Sequence, residues 1–123
     1  MHTTDVVAAL SRIVDAFPTE RQNALRQELA LALAAVFTQT LVPSTNGTPI
    51  PVAELLMASY GARQHVWKNA LQHLHQEITI TRNLGSFTLE ESLARHVHSG
   101  RLDRAEARLR AVHPDEFDSI MSR

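Results

Sequence analysis

Histidine is the residue type in this sequence that most directly suggests chemistry. Two pairs of imidazoles are spaced two residues apart: His73 with His75, and His96 with His98. On a helix such neighbours diverge by about 200° around the axis, so they do not converge on one metal ion. A three-ligand site would need a distant contributor such as Glu77 or Asp103, and nothing in the spacing requires one. We therefore expect no metal site.

Nucleotide and nucleophile chemistry lack their usual signatures. The four glycines are isolated in the sequence, so neither Gly-x-x-x-x-Gly-Lys-Ser/Thr nor Gly-x-Gly-x-x-Gly occurs. No Gly-x-Ser-x-Gly elbow marks a serine nucleophile. Cysteine is absent, which excludes thiol catalysis and disulfides and fits a reducing compartment. We expect no complete catalytic centre and no cofactor bound by this chain.

Length and charge narrow the classes of partner. At 123 residues the chain suits one compact unit. Its 12 basic and 13 acidic residues give a net charge of −1, which offers no general attraction for nucleic acid or an anionic membrane. No stretch approaches the roughly 18 to 20 apolar residues that cross a bilayer. The expected partners are proteins, the expected location is cytoplasmic, and direct membrane insertion is not expected.

The first third of the chain has helical apolar spacing. This spacing predicts a helix over residues 6–17, capped by Thr3 or Thr4 and ended by Pro18. Residues 19–22 have the form of a capping box and predict a second helix. The expected buried stripe of that helix consists of Leu25, Leu29, Ala32 and Leu33.

A β-like pattern follows. Residues 36–42 and 52–57 predict two strands, joined by a polar loop over residues 43–51 that is centred on Asn46 and Gly47. A two-stranded ribbon is marginal alone, so helices must pack against it. The predicted fold class is α/β, mostly α, with helices around a short ribbon of about two strands.

The second half predicts further helices. One helical face is formed by Ala62, Val66, Ala70 and Leu74. Gly85 breaks the chain, residues 88–91 form a second capping box, and Gly100 ends the helix that follows. A short helix over residues 102–112 and a last turn after Pro114 complete the chain.

Trp67 is the only tryptophan, and two interpretations stay open for it. Tryptophan often anchors a protein interface. It could equally lie against the ribbon as part of the core.

The opening stretch carries a family resemblance. "MHTTDVVAALSRIVDAFP" resembles the segment after the Walker B motif in PilT-type pilus-retraction ATPases, part of the wider type II/type IV secretion ATPase family. There a His-Thr step leads into a helix ending Arg-Ile-x-Asp-x-Phe-Pro. His2 falls on the last histidine of that family's His box.

Four further stretches match in the same order. "ALRQELALALAAVFTQTLVP" looks like the family's Ile-Arg-x-x-Leu helix and Ala-Val-x-x-Gln-x-Leu strand, and "AELLMAS" looks like its Glu-Ile-Met strand. "LGSFTLEESL" and "SGRLDRAEAR" are similar to the turn and helices near its C-terminus. The family-motif positions matched in this sequence are Arg12, Arg26, Gln39, Glu54, Arg63, Gly85 and Thr88.

The resemblance implies a place and a role. The chain would be the C-terminal subdomain of a RecA-like motor, with residues 1–58 ending the RecA-like core and residues 59–123 forming a helical part. In the family, ATP and magnesium are bound by segments that precede this one, in a homohexamer at the cytoplasmic face of the inner membrane. The implied role is subunit packing and coupling of nucleotide state to motion, with self-association, without ATPase activity of its own, and with His2 sensing nucleotide only beside the parent's missing half. The alternative is a stand-alone helical interaction module derived from such a motor.

The sequence departs from the family pattern in residues 61–68, "GARQHVWK". Arg63 is kept, but Trp67 stands where the family has a second arginine and Lys68 where it has an acidic residue. Ser11 and Glu90 each replace a family aspartate. These changes put retraction activity in question.

Overall fold

The computed structural model describes residues 5–123, and within them seven α-helices surround one two-stranded sheet. The predicted fold class, mostly α around a short ribbon, is confirmed. Single 3-10 turns cover Leu71–His73 and Arg82–Leu84. In chain order the elements are α1 (Val6–Asp15), α2 (Thr19–Ala32), β1 (Ala35–Pro43), β2 (Pro49–Met57), α3 (Tyr60–Trp67), α4 (Leu74–Ile80), α5 (Leu89–His98), α6 (Arg104–Arg110) and α7 (Pro114–Met121).

The two strands form an antiparallel hairpin, as predicted. The register runs from Ala35 opposite Met57 to Pro43 opposite Pro49. The strands are longer than predicted, and the turn between them contains Gly47 at φ +86°, a conformation that glycine adopts without steric cost.

Strand β2 is the centre of the fold. Its alternate residues Val52, Glu54 and Leu56 point inward and are at most 1% exposed, because side chains along a strand alternate between its faces. Leu56 belongs to a first hydrophobic cluster with α1 to α4, and Val52 belongs to a second cluster with β1 and α5 to α7. Glu54 therefore lies on the same inward face, between the residues that anchor the two clusters.

The two N-terminal helices begin differently from the prediction. Asp5 caps α1 by accepting a hydrogen bond from the backbone N–H of Ala8. The predicted caps Thr3 and Thr4 lie outside the described residues, and the prediction that one of them caps α1 is wrong. No capping box begins α2 either, since Pro18 occupies the cap position and Thr19 is already helical. Instead the side chain of Gln22 donates to the carbonyl of Phe17.

The predicted buried stripe of α2 is also largely wrong. Ala30 is the residue of α2 that is buried, whereas Ala32 is exposed. The other predicted positions, Leu25, Leu29 and Leu33, are half-buried. The reason is that α2 lies at the edge of the first cluster and touches it along a narrow line, so most of its surface faces outward.

The single face predicted for residues 62–74 is divided between two helices. Helix α3 ends at Trp67, and Asn69 then takes φ +58°, a left-handed conformation that asparagine tolerates better than most residues. Ala62, Val66 and Leu74 are nevertheless buried together in the first cluster, while Ala70 is half-buried.

The capping box at Thr88 is confirmed. Its hydroxyl accepts from the backbone N–H of Glu91, whose carboxylate accepts in return from the N–H of Thr88. Gly100 follows the C-terminal end of α5 and takes φ +78°, as predicted for a glycine that ends a helix. Among the described residues, no helix has the length and apolar character needed to cross a membrane.

Candidate functional site

Glu54 joins the starts of two helices. One carboxylate oxygen accepts from the backbone N–H of Val6 at 2.8 Å, and the other accepts from the N–H of Leu89 at 2.9 Å. Val6 and Leu89 are the first residues of α1 and α5, so each donor is one that the helix itself leaves unpaired. Because helix N-termini favour negative charge, β2 holds both helices through one side chain.

This carboxylate lies in an unfavourable environment for its charge. Burial raises the pKa of Glu54 above its ordinary value of 4.5, and the two backbone hydrogen bonds oppose that rise. The negative charges of Asp5 and Glu90 raise the pKa further.

Glu90 is a second buried carboxylate beside Glu54. It is fully buried on α5, and its Oε2 accepts from the backbone N–H groups of Val112 and His113, both at 3.0 Å. Glu90 thereby ties α5 to the segment that leads into α7. Its other oxygen, Oε1, is buried without a hydrogen-bond partner among the described residues.

Three side chains next to these carboxylates form a histidine cluster, defined as His75, His113 and Glu116. The imidazole of His75 is hydrogen-bonded to Glu116, and its ring centroid lies 3.9 Å from that of His113. One nitrogen or oxygen atom from each of the three residues lies within 4.8 Å of the others. A ring nitrogen of His75 also lies within 4.8 Å of carboxylate oxygens of Glu54 and Glu90.

As the spacing predicts, His73 and His75 contact different partners. The ring centroid of His73 lies 5.2 Å from that of His65, whereas the ring of His75 contacts that of His113. His96 is hydrogen-bonded to the carbonyl of Pro51. Of the two possible distant contributors, Glu77 contacts His65 and Ser59, and Asp103 caps α6 by accepting from the backbone N–H of Glu106.

An open groove between α2 and α3 forms a second feature, which we call the α2–α3 groove. Its volume is about 460 Å³. Three large side chains in it are exposed, with Leu31 at 86%, Tyr60 at 78% and Trp67 at 46%. The interpretation of Trp67 as core is therefore wrong, and the interface interpretation stays a prediction. The lining residues are Gln27, Ala30, Leu31, Tyr60, Arg63, Gln64 and Trp67.

The remaining predicted positions divide between these two features and the surface. Thr88 caps α5 one residue before Leu89, and so lies at the Glu54 junction. Arg63 lines the groove and donates to the carbonyl of Leu33, and Arg26 lies half-buried nearby. Of the remaining predicted positions, Arg12 and Gln39 are exposed, and Gly85 takes φ +109°. His2 lies outside the described residues.

Sequence reasoning missed the histidine cluster. His113 and Glu116 are three residues apart at the start of α7, a spacing that puts two side chains on one side of a helical turn. That spacing could have predicted the proximity of His113 and Glu116 from the sequence. The contribution of His75 from α4 could not be predicted in this way, because it depends on how α4 and α7 pack.

No family model matches the sequence. The type IV pilus retraction ATPase PilT of Pseudomonas aeruginosa is 28% identical over 117 residues, which cover 95% of this chain and 34% of that protein. A twitching motility protein of Neisseria gonorrhoeae is 29% identical over 118 residues, covering 95% of this chain and 32% of the relative. The chain thus spans about a third of the length of these relatives.

Solved structures have the same fold. The crystal structure of the pilus retraction motor PilT with bound ADP superposes with a TM-score of 0.75 at 24% identity, over 97% of this chain and 32% of that one. The Legionella pneumophila ATPase DotB gives a TM-score of 0.65 at 15% identity, over 88% of this chain and 29% of its own. The predicted resemblance to PilT-type motor ATPases is confirmed.

Proposed function

We propose that this chain acts as the C-terminal part of a PilT-like type IV pilus or secretion motor, where it packs subunits and couples nucleotide state to motion. The observation that carries the proposal is the junction at Glu54, which fixes the starts of α1 and α5 to the same strand. The homology to motor ATPases over nearly the whole chain supports it.

The position at which α1 begins supports the proposed coupling role. Its first residue, Val6, comes four positions after His2, the residue that the resemblance assigns to nucleotide sensing. We propose that a displacement at His2 is passed along the chain to the start of α1. Because Glu54 is 1% exposed and bonded at both oxygens, a shift of α1 must either break its bond to Val6 or move β2 and α5 with it.

The packing role rests on the α2–α3 groove. Exposed apolar side chains of this size in one groove are typical of surfaces that another protein covers. We propose that a neighbouring motor segment fills it, so that Leu31 and Trp67 become buried on assembly and the chain self-associates with motor subunits. Partners are then proteins at the cytoplasmic face of the inner membrane, and not nucleic acid. ATP and magnesium would be bound by other parts of such a motor, and not by this chain.

The test is complementation of a PilT-type motor from which the homologous segment has been removed. Mixing it with this chain should restore a stable assembly and ATP hydrolysis. Leu31→Asp should prevent assembly, because it would bury a charge in the groove. Leu109→Asp is the matched control, since Leu109 on α6 is 80% exposed outside the groove.

Two results would contradict the proposal. Equal loss in both aspartate variants would show that the groove has no special role in assembly. Stoichiometric ATP binding by this chain alone in calorimetry would contradict its non-catalytic part.

The stand-alone interaction module is a second candidate, favoured by Trp67 standing exposed in the groove where the family has arginine. It predicts that the chain fails to complement the motor, yet Leu31→Asp abolishes binding to a protein partner.

Glu54→Gln separates the packing role from the coupling role within the main proposal. It should leave assembly intact and lower ATP hydrolysis in the complemented motor.

A further inference from the structure

We propose that the histidine cluster, His75, His113 and Glu116, binds a divalent transition-metal ion of the Zn²⁺ type. The ligand set is two imidazoles and one carboxylate, a combination that zinc accepts with a fourth position left open. This inference concerns a different part of the molecule from the groove and does not rest on the motor role.

The three ligands are close enough to converge. Their nearest donor atoms lie within 4.8 Å of one another. Zinc bonds of 2.0–2.1 Å in a tetrahedron place ligand atoms about 3.4 Å apart, so binding requires the donor atoms to approach one another by at most about 1.4 Å. Glu116 is about half exposed and can supply that movement by a side-chain rotation. The imidazole of His75 is mostly buried, with its side chain 14% exposed, and is held in place by packing.

The buried carboxylates behind the cluster provide an independent reason for a cation. Oε1 of the fully buried Glu90 has no hydrogen-bond partner among residues 5–123. A buried, unpartnered carboxylate oxygen is costly, so its persistence calls for a partner. Glu90 and Glu54 both approach a ring nitrogen of His75.

A carboxylate near a metal-bound histidine makes the ligating nitrogen more basic. Glu90 has a carboxylate oxygen within 4.8 Å of a ring nitrogen of His75. Glu90 is also connected to the second imidazole ligand, because its Oε2 accepts from the backbone N–H of His113. Glu90 is therefore a positioning residue for His113 and adds a carboxylate beside His75.

The ion pair between His75 and Glu116 alone explains less. It accounts for one ring nitrogen of His75 and one oxygen of Glu116. It leaves the close approach of the His113 ring and the unpartnered oxygen of Glu90 without a reason. A divalent ion held by His75, His113 and Glu116 gives these three side chains a reason to converge, and it places positive charge near the buried carboxylate of Glu90.

The experiment is a Zn²⁺ titration of the chelator-treated full chain by calorimetry. We expect one equivalent of Zn²⁺ to bind with a dissociation constant in the micromolar range or tighter. Glu116→Gln and His113→Gln should each weaken binding at least tenfold. Glu116 is exposed, so its replacement leaves the fold intact, and circular dichroism confirms this for each variant.

Two histidine variants are the controls. His98→Gln alters an exposed histidine of α5, and His73→Gln alters the exposed neighbour of His75 that contacts His65 instead. Both should bind Zn²⁺ like the unaltered chain. Glu90→Gln should weaken binding about tenfold, as is typical when a carboxylate supporting a metal ligand is neutralised.

Two outcomes would overturn the proposal. One is the absence of Zn²⁺ binding at micromolar concentrations by the unaltered, folded chain. The other is binding that Glu116→Gln leaves unchanged or that His73→Gln weakens as much, which would assign the ion to surface histidines.

Discussion

Replacing Glu54 with glutamine tests the junction between α1 and α5 with the smallest change of shape. Both carboxylate oxygens accept backbone N–H groups, those of Val6 and Leu89. A glutamine side chain offers one oxygen and one NH₂ group, so one of the two N–H groups would face a donor. The variant therefore leaves a buried backbone N–H unpaired in a site that is 1% exposed.

The magnitude follows from two opposing effects. Losing a hydrogen bond to a charged acceptor and leaving its donor unpaired costs about 3 kcal/mol. Removing the charge also relieves its desolvation and its repulsion by Asp5 and Glu90, which offsets part of that cost. We expect a net loss of about 2 kcal/mol in the free energy of unfolding, which corresponds to a fall of roughly 6–12 °C in Tm for a chain of this size.

The assay is urea denaturation followed by circular dichroism, with amide hydrogen exchange as the local readout. Exchange should accelerate at Val6 and Leu89 more than at the centres of the same helices. Glu28→Gln is the matched control, because Glu28 is exposed on α2, and its effect should stay within about 0.5 kcal/mol. A Glu54→Gln chain as stable as the control, with unchanged exchange at both amides, would refute the reasoning.

Three further predictions concern pH, capping and a close contact. Because the pKa of Glu54 is raised in the folded chain, the folded chain keeps a proton that the unfolded chain loses near pH 4.5. The stability contributed by Glu54 therefore falls as pH rises from 4.5 through the folded pKa. Urea denaturation across that range should show this fall in the unaltered chain and a flatter pH profile in Glu54→Gln. Thr88→Ala should lower the free energy of unfolding by about 1 kcal/mol through loss of the α5 cap, whereas Thr19→Ala should change it little, and equal effects would contradict the observed caps. A Cβ added at Gly61 would lie 2.5 Å from Oε1 of Glu77, so the carboxylate must move away from His65 and Ser59 to make room for it. Gly61→Ala should therefore stabilise the chain less than it stabilises a Glu77→Ala background, where helix propensity alone acts and the gain is about 1 kcal/mol. An equal effect in both backgrounds would contradict the last prediction.

The sequence could predict the elements with strong local signals. The alternation in β1 and β2, the capping box at Thr88 and the glycine after α5 each depend on residues within a few positions, and each was predicted. The caps of α1 and α2 were predicted wrongly because several polar residues compete near each start, and the choice depends on one backbone conformation.

Side-chain burial was harder to predict than secondary structure. The apolar spacing in α2 predicts a buried stripe that includes Ala32, but packing at the edge of the first cluster leaves Ala32 exposed. Glu54 was predicted as a family position, while its two bonds join residues 48 and 35 positions away in sequence. Contacts of that range follow from the tertiary fold, as does the meeting of His75 with His113.

The inward face of β2 also bears on how the chain unfolds. Val52 and Leu56 anchor separate clusters, and a strand carries both side chains on one face only while its register is kept. A slip by one residue would expose both anchors and Glu54 together, so loss of either cluster removes support from the other. The described chain is therefore expected to melt as one cooperative unit, in which the first and second clusters lose their protection from exchange at the same denaturant concentration.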